Sequence, residues 1–268
     1  MAAIQSTQVT AILIRGHDYG EGHRLLTLLT REAGKITAVA RGIRKPKAKL
    51  ASILQHFTKA TLDLTTGRQY AIITGAQMLD SYYGLRADLR SFANASYLCE
   101  LFDETLEDNQ GSPELFDLLA AALSHNDKGT ATELLNRYVE IHLISALGYL
   151  PRLTHCAHCD AQLAAVDEAG KTIWPIWLGF TAAHGGALCI NCLPLVPGAR
   201  RVAAGTIQVS LLMLNMEMET LSALNLSTQL KKEIEITYRD YLEYQLGREL
   251  RSSRYINAFT NDEISRII

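Results

Sequence analysis

Arg24-Leu25-Leu26-Thr27-Leu28-Leu29-Thr30, followed three residues later by Gly34-Lys35-Ile36-Thr37-Ala38-Val39-Ala40, is the stretch on which the fold of the first domain turns. By content the first run suits a strand or a helix. The Gly34-Lys35 turn ahead of a β-branched run favours a hairpin. Upstream, Val9-Thr10-Ala11-Ile12-Leu13-Ile14 reads as a strand that stops at Gly16 and Asp18. Downstream, a loop from Gly42 to Lys49 leads to a strand at Thr58–Leu64, a Thr66-Gly67 turn, and Tyr70-Ala71-Ile72-Ile73-Thr74. Four or five short strands joined by tight turns predict a small closed barrel over residues 1–80.

After Tyr82 the period changes to that of a helix. Leu98, Leu101, Phe102, Thr105 and Leu106 share one face. Ser112 as N-cap with Pro113 behind it starts a second helix along Leu115, Leu118, Leu119 and Ala122. Leu134, Leu135, Tyr138, Ile141, His142 and Ser145 form a third, ending at Gly148. Leu230, Ile234, Tyr238, Tyr241, Leu242 and Leu246 form a last one, ending at Gly247. Each stripe is read as core packing. Residues 81–268 thus form a helical domain, interrupted at about 149–197 by turn residues, both tryptophans and four of the five cysteines. The fold class is α+β: a barrel, then helices with an inserted module.

The chain has 268 residues, 48% apolar and 20% charged, which excludes disorder and a coiled-coil rod. The net charge of −2 conceals an asymmetry. Residues 1–80 carry 11 Lys and Arg against 5 Asp and Glu, and the remainder 15 against 23. Such a change of sign suggests two domains, the basic one facing a polyanion. The first residues, MAAIQSTQVTAILIRG, lack the basic start and long apolar run of a signal peptide, and no apolar run is long enough to span a membrane. The odd cysteine count without a secretion signal does not suggest a disulfide framework. A cytoplasmic protein is expected.

Cys156-Ala157-His158-Cys159 and Cys189-Ile190-Asn191-Cys192 are two C-x-x-C units separated by 29 residues. Each lets two thiolates of one turn take adjacent corners of a tetrahedron, and together they make a closed structural zinc site with no open position for chemistry. Gly185-Gly186 offers backbone freedom for a tight approach to the metal, and the spacer leaves room for a small sheet at Ile173–Leu178 and Phe180. His155, His158 and His184 lie close enough in sequence to replace a thiolate. A redox pair and metal-free packing cysteines are the other readings. Cys99, alone in a helical stripe, reads as inert core.

Arg41, Arg44, Lys45, Lys47 and Lys49 place five cations in nine residues with no acid among them, stiffened by Pro46. On a barrel rim such a loop can follow a phosphate backbone, and Arg15, Arg24, Arg31 and Lys35 could extend the patch. The plain alternative is a solvated loop. Tyr19, Phe57 and Tyr70 are the few aromatics available for stacking, so sequence-tolerant backbone binding fits best. No phosphate-cradling glycine motif, G-x-S-x-G or H-E-x-x-H occurs. His17 and Asp18, as strand neighbours, face opposite ways. A binding protein rather than an enzyme is expected.

Ala11-Ile12-Leu13-Ile14-Arg15, the Leu25–Thr30 run with Gly34-Lys35, and Ala40-Arg41-Gly42-Ile43-Arg44-Lys45-Pro46-Lys47 resemble the opening of the RecO family of bacterial recombination mediators. The paired knuckles with Phe180 and Gly185-Gly186, and Arg248-Glu249-Leu250-Arg251-Ser252-Ser253, are similar to later parts of that family. The resemblance implies an N-terminal OB-fold, then a helical domain carrying a zinc finger. It implies binding of single- and double-stranded DNA and annealing of complementary strands. It also implies action with RecR, and with RecF, in loading RecA onto DNA coated by single-strand-binding protein (SSB), whose C-terminal tail is contacted. By position, Arg15, Arg41, Arg44, Lys45 and Lys47 would belong to the DNA face, with Arg24, Lys35 and Lys49 as neighbours from the same domain. Cys156, Cys159, Cys189 and Cys192 would hold one zinc ion. A zinc-ribbon regulator that reads duplex sequence is the rival. It needs a recognition helix, and the helix from Ser227 carries Glu233, Glu235, Asp240 and Glu243, which would repel phosphates.

Overall fold

The computed structural model describes residues 6–45, 48, 50–130, 133–254 and 256. They form two compact units, one of residues 6–130 with the described residues from 250 on, the other of residues 133–249.

In the first unit, β1 (Ser6–Tyr19), β2 (His23–Thr30), β3 (Gly34–Ala40), β4 (Lys59–Thr65) and β5 (Ala71–Asp80) close a barrel in the order β1-β2-β3-β5-β4. This is an OB-fold. Closure depends on β1, which runs past the Gly16 stop that the sequence suggests. Its first half pairs with β4 and its second with β2, and a bulge between Leu13 and Arg15 bends it from one partner to the other. At the bend, Leu13 accepts a hydrogen bond from the Phe57 N–H (2.9 Å) and donates to the Thr58 carbonyl (3.1 Å).

Leu13, Leu26, Leu28, Ala38, Leu62 and Leu64 fill the barrel, and Ile43 and Leu54 join them from the loop after β3. The outward-facing Ile12, Ile14, Leu25 and Leu29 are buried as well. Three helices follow: α1 (Gly84–Ala87), α2 (Leu89–Thr105) and α3 (Pro113–Asp127). Of these, α2 packs on β1 and α3 on β2. A strand covered on both faces loses the apolar–polar alternation, which is why Arg24–Thr30 looks ambiguous in sequence. The same packing puts these helices in the barrel's unit, although the sequence places every helix in one domain from residue 81.

The helix ends follow local chemistry. Asp88 caps α2 by accepting from the Ser91 N–H (2.7 Å), which holds its carboxyl below the usual range. Ser112 caps α3 ahead of Pro113 as the sequence predicts. Glu100 on α2 accepts from the backbone N–H groups of Arg251 (3.0 Å) and Ser252 (2.7 Å) and from the Ser252 hydroxyl.

The second unit begins with α4 (Leu135–Ala146). A short hairpin follows, β6 (Ala165–Val166) with β7 (Thr172–Ile173), and then β8 (Trp177–Thr181), β9 (Gly186–Leu188) and β10 (Arg200–Ala203), which form a sheet in the order β10-β8-β9. The stretch Ile173–Leu178, expected with Phe180 to supply a small sheet, is divided between two sheets. Last come α5 (Ala204–Met213) and α6 (Thr228–Leu246), with Ile141, Ile207, Met213, Ile234 and Tyr238 in the core. Ser227 caps α6 by accepting from the Leu230 N–H (3.2 Å), and Gly247 ends it in a left-handed conformation. The sequence pattern does not reveal α5. Its N-cap is Ala203, and its acceptor comes from α6, where Glu233 takes the Ala203 N–H (2.8 Å) and the Thr206 hydroxyl. No helix among the described residues is long and apolar enough to cross a membrane.

One close approach within the first unit tests this account. Gly34 has φ +67°, and a Cβ there would lie 2.5 Å from the Gln110 carbonyl oxygen. The backbone is held there by Lys35 N–H donating to Gln110 (2.9 Å) and Asn109 N–H donating to Lys35 (2.7 Å). Gly34→Ala is expected to lower stability by roughly 1–3 kcal/mol in urea unfolding. An unchanged midpoint would show that the loop between α2 and α3 yields freely.

Candidate nucleic-acid face and metal centre

The hairpin β1–β2 and the loop after β3 meet at one end of the barrel. The Arg44 N–H donates to the Gly22 carbonyl (3.1 Å), and the Gly42 N–H donates to His23 Nδ1 (2.9 Å). These bonds fix the loop backbone while leaving its side chains outward: Arg41, Arg44 and Lys45 are exposed. The stem of Lys45 runs past Gly22 and Gly42, leaving its ammonium to solvent. Arg24 reaches the same end from β2, where it is paired in register with Asp18 of β1. The Asp18 carboxylate bridges two arginines, with Oδ2 at 3.0 Å from Arg44 Nη1 and Oδ1 at 3.9 Å from Arg24 Nε.

Not every cation expected at this face is there. Lys35 is buried, because its ammonium turns inward to the Asp103 carbonyl (2.6 Å) and carboxylate (3.5 Å). Arg15 is half exposed but bonded to Asp103 (3.1 Å). Arg31 is paired with Asp117. Lys47 and Lys49 lie outside the described residues. Of the aromatics, Tyr19 and Tyr70 stand edge to face at 6.3 Å near Asp18, with Tyr19 exposed. Phe57 is not available: it is buried against Phe92 at 5.3 Å, with φ +72°.

Two further groups were not legible in the sequence. The Arg86 guanidinium donates to the His56 carbonyl (2.8 Å). Burial, and then the positive charges of Arg24 and Arg86, lower the pKa of His56. Arg86 therefore joins Arg24 in the field at His56 from thirty residues along the chain, a relation that no spacing encodes.

In the second unit the four sulfurs of Cys156, Cys159, Cys189 and Cys192 lie within 4.8 Å of one another and form a group that could hold a metal ion. Tetrahedral thiolate bonds of about 2.3 Å put neighbouring sulfurs roughly 3.8 Å apart, and Cys159 and Cys189 are separated by 3.8 Å. The cysteines fit such an ion on their own. His155, His158 and His184 are not part of the group: His158 and His184 face each other at 6.1 Å, and His155 contacts Thr154. Turn hydrogen bonds shape each knuckle, Asp160 N–H to Cys156 (3.0 Å) in the first and Cys192 N–H to Cys189 (3.1 Å) in the second. Ala157 N–H bonds Ala187 (2.8 Å) and joins the two. Burial pushes the Cys156 thiol up, but backbone N–H groups of Cys159, Cys189 and His158 outweigh it and bring it down to about 6. Burial and the neighbouring sulfurs push Cys192 up.

Gly186 serves the backbone rather than the metal. With φ +153°, it packs where a Cβ would meet the Arg152 carbonyl oxygen at 2.5 Å, and Ala187 N–H bonds that same carbonyl (2.8 Å). Cys99 is buried, and its thiol is pushed up by burial, as expected for an inert core residue. A separate groove of about 270 Å³ in the second unit is lined by Arg200, Arg201, Gln229, Lys232, Glu233 and Ile236, and Arg201 lies over the Trp177 ring at 4.7 Å.

Both halves of the chain resemble known proteins. Residues 1–82 match the family described as Recombination protein O N terminal, and residues 86–254 match Recombination protein O C terminal. The chain is 31% identical to the DNA repair protein RecO of Pelotomaculum thermopropionicum, over 93% of each chain. It is 33% identical to that of Anaeromyxobacter sp. strain K, over 93% of this chain and 95% of the relative. It is 30% identical to that of Bacillus pumilus, over 92% and 91%. With a barrel, a four-cysteine cluster and both family regions matched in order, this chain belongs to the RecO family of DNA repair proteins.

Proposed function

We propose that the chain is a non-enzymatic recombination mediator that binds single- and double-stranded DNA and anneals complementary strands. Acting with RecR, and with RecF, it helps to load RecA onto SSB-coated DNA in the cytoplasm, at the nucleoid. The observation that carries this reading is the outward row of Arg41, Arg44 and Lys45 on a loop whose backbone is pinned to the barrel end. Fixed cations neutralise phosphates and release counterions without reading bases. Two strands held at such a face repel each other less, so their bases can pair.

The metal is zinc, held by Cys156, Cys159, Cys189 and Cys192. With all four positions taken by thiolates, its role is to brace the knuckles, not to activate water. The SSB tail is acidic and ends in an apolar residue. The groove by Arg201 and Lys232, with Ile236 in its lining, has the chemistry to receive it.

Arg41→Ala with Lys45→Ala should slow annealing of bare oligonucleotides and flatten the salt dependence of single-strand binding by roughly 0.7 in log–log slope per lost contact. Unchanged annealing and slope would remove the basic loop from the mechanism. Cys189→Ser should lose its one zinc per chain by elemental analysis and unfold at lower temperature. A folded variant with full zinc would contradict the four-cysteine site. Arg201→Glu should leave annealing of bare strands intact and slow it on SSB-coated strands; equal slowing of both would take the groove out of SSB capture.

A further inference from the structure

The geometry points to a phosphate subsite between Arg24 and Arg44 that the carboxylate of Asp18 fills in the free protein. This deepens the nucleic-acid reading of the barrel end and rests on it.

Three observations carry it. First, Asp18 uses its two oxygens on two different cations from two different elements, Oδ2 on Arg44 of the loop and Oδ1 on Arg24 of β2. One anionic group already sits where a bridging phosphate would, and a phosphate, like a carboxylate, offers spread oxygens to guanidinium donors. Second, the occupancy is incomplete. Arg24 Nε is a buried donor without a hydrogen-bond partner, and the nearest Asp18 oxygen, at 3.9 Å, is too far to serve it. The Arg24 guanidinium lies over Gly16, in space that a side chain at that position would take, with Nη2 3.4 Å from where a Cβ would stand. A buried donor that is positioned and unanswered invites an oxygen that comes closer. Third, the bridge is easily exchanged. The Asp18 and Arg44 side chains are 61% and 50% exposed, and ion pairs of that kind are weak and screened by salt. The Arg44 backbone is anchored to Gly22, so its guanidinium can change partner without moving the loop.

Asp18 is then a built-in competitor. It keeps two arginines ordered while no strand is bound. On binding it must yield both, and the freed carboxylate regains a cation from solution. That uptake cancels part of the counterion release from the strand, so both affinity and salt dependence are held below what the cations alone would give.

The test measures binding of a labelled oligo-dT to the full chain over a series of salt concentrations. Asp18→Asn, which keeps the side-chain shape, is compared with Glu21→Gln, which removes a charge three residues away that is not in the bridge. The expected result is roughly two- to fivefold tighter binding for Asp18→Asn at low salt. Its salt slope should also be steeper by roughly 0.7, with a clearly smaller change for Glu21→Gln. Unchanged or weaker binding by Asp18→Asn overturns the subsite, and so does an equal gain in both variants, which would be a general field effect. Arg41→Ala with Lys45→Ala, measured alongside, separates the two levels. If that variant binds like the unaltered chain, the nucleic-acid reading of this face fails. If it weakens while Asp18→Asn changes nothing, the subsite alone fails.

Discussion

The first unit depends on one constraint: strands β1 and β2 are apolar on both sides, and both sides must leave water. Leu26 and Leu28 point into the barrel while Leu25 and Leu29 point out of it, and all four are buried. A five-stranded barrel can enclose only the inner set. The outer set has to be covered by something else, and α2 and α3 supply that cover. Burying a leucine is worth roughly 1.5–3 kcal/mol, so these few residues are a large fraction of the margin by which a domain is stable. At the barrel end with the basic loop, Arg41, Arg44 and Lys45 are exposed instead.

In the second unit, hydrogen bonds between distant residues shape the knuckles and one helix end beside the apolar core. Ala157 and Ala187 join the two knuckles, Gly186 packs on Arg152, and Glu233 caps a helix it does not belong to. These bonds bring four thiols close together before any cation is considered. Four sulfurs within 4.8 Å cannot all carry charge without a counterion, so the geometry and a divalent metal suit each other.

The sequence was most informative where the chemistry was local. Barrel strands, the Ser112-Pro113 start, the Gly247 stop and the C-x-x-C pairs all sit within a few residues of their own signals. It was least informative where a partner lies far along the chain. Helix α5 has no capping residue of its own because Glu233, some thirty residues on, performs that task. Lys35 resembles every other lysine of a basic segment until Asp103, 68 residues away, takes its ammonium. Gly16 looks like a stop in sequence, yet β1 continues through it because its missing side chain admits Leu26 and Arg24 from the neighbouring strand. Charge counts mark a basic segment but do not separate cations turned to solvent, such as Arg41, from those already paired, such as Lys35.

The bond between Glu100 and the segment at Arg251-Ser252 also bears on how the chain is made. Its partners are separated by 152 residues. At roughly 5–20 residues per second on the ribosome, Glu100 is synthesised roughly 8–30 seconds before Ser252. During that time the α2 carboxylate is without its final donors, and the first unit lacks its last segment. The second unit lies wholly between the two ends of the first, so it can form while its neighbour is still incomplete. The order of synthesis and the order of completion are therefore inverted: the unit that begins first is finished last.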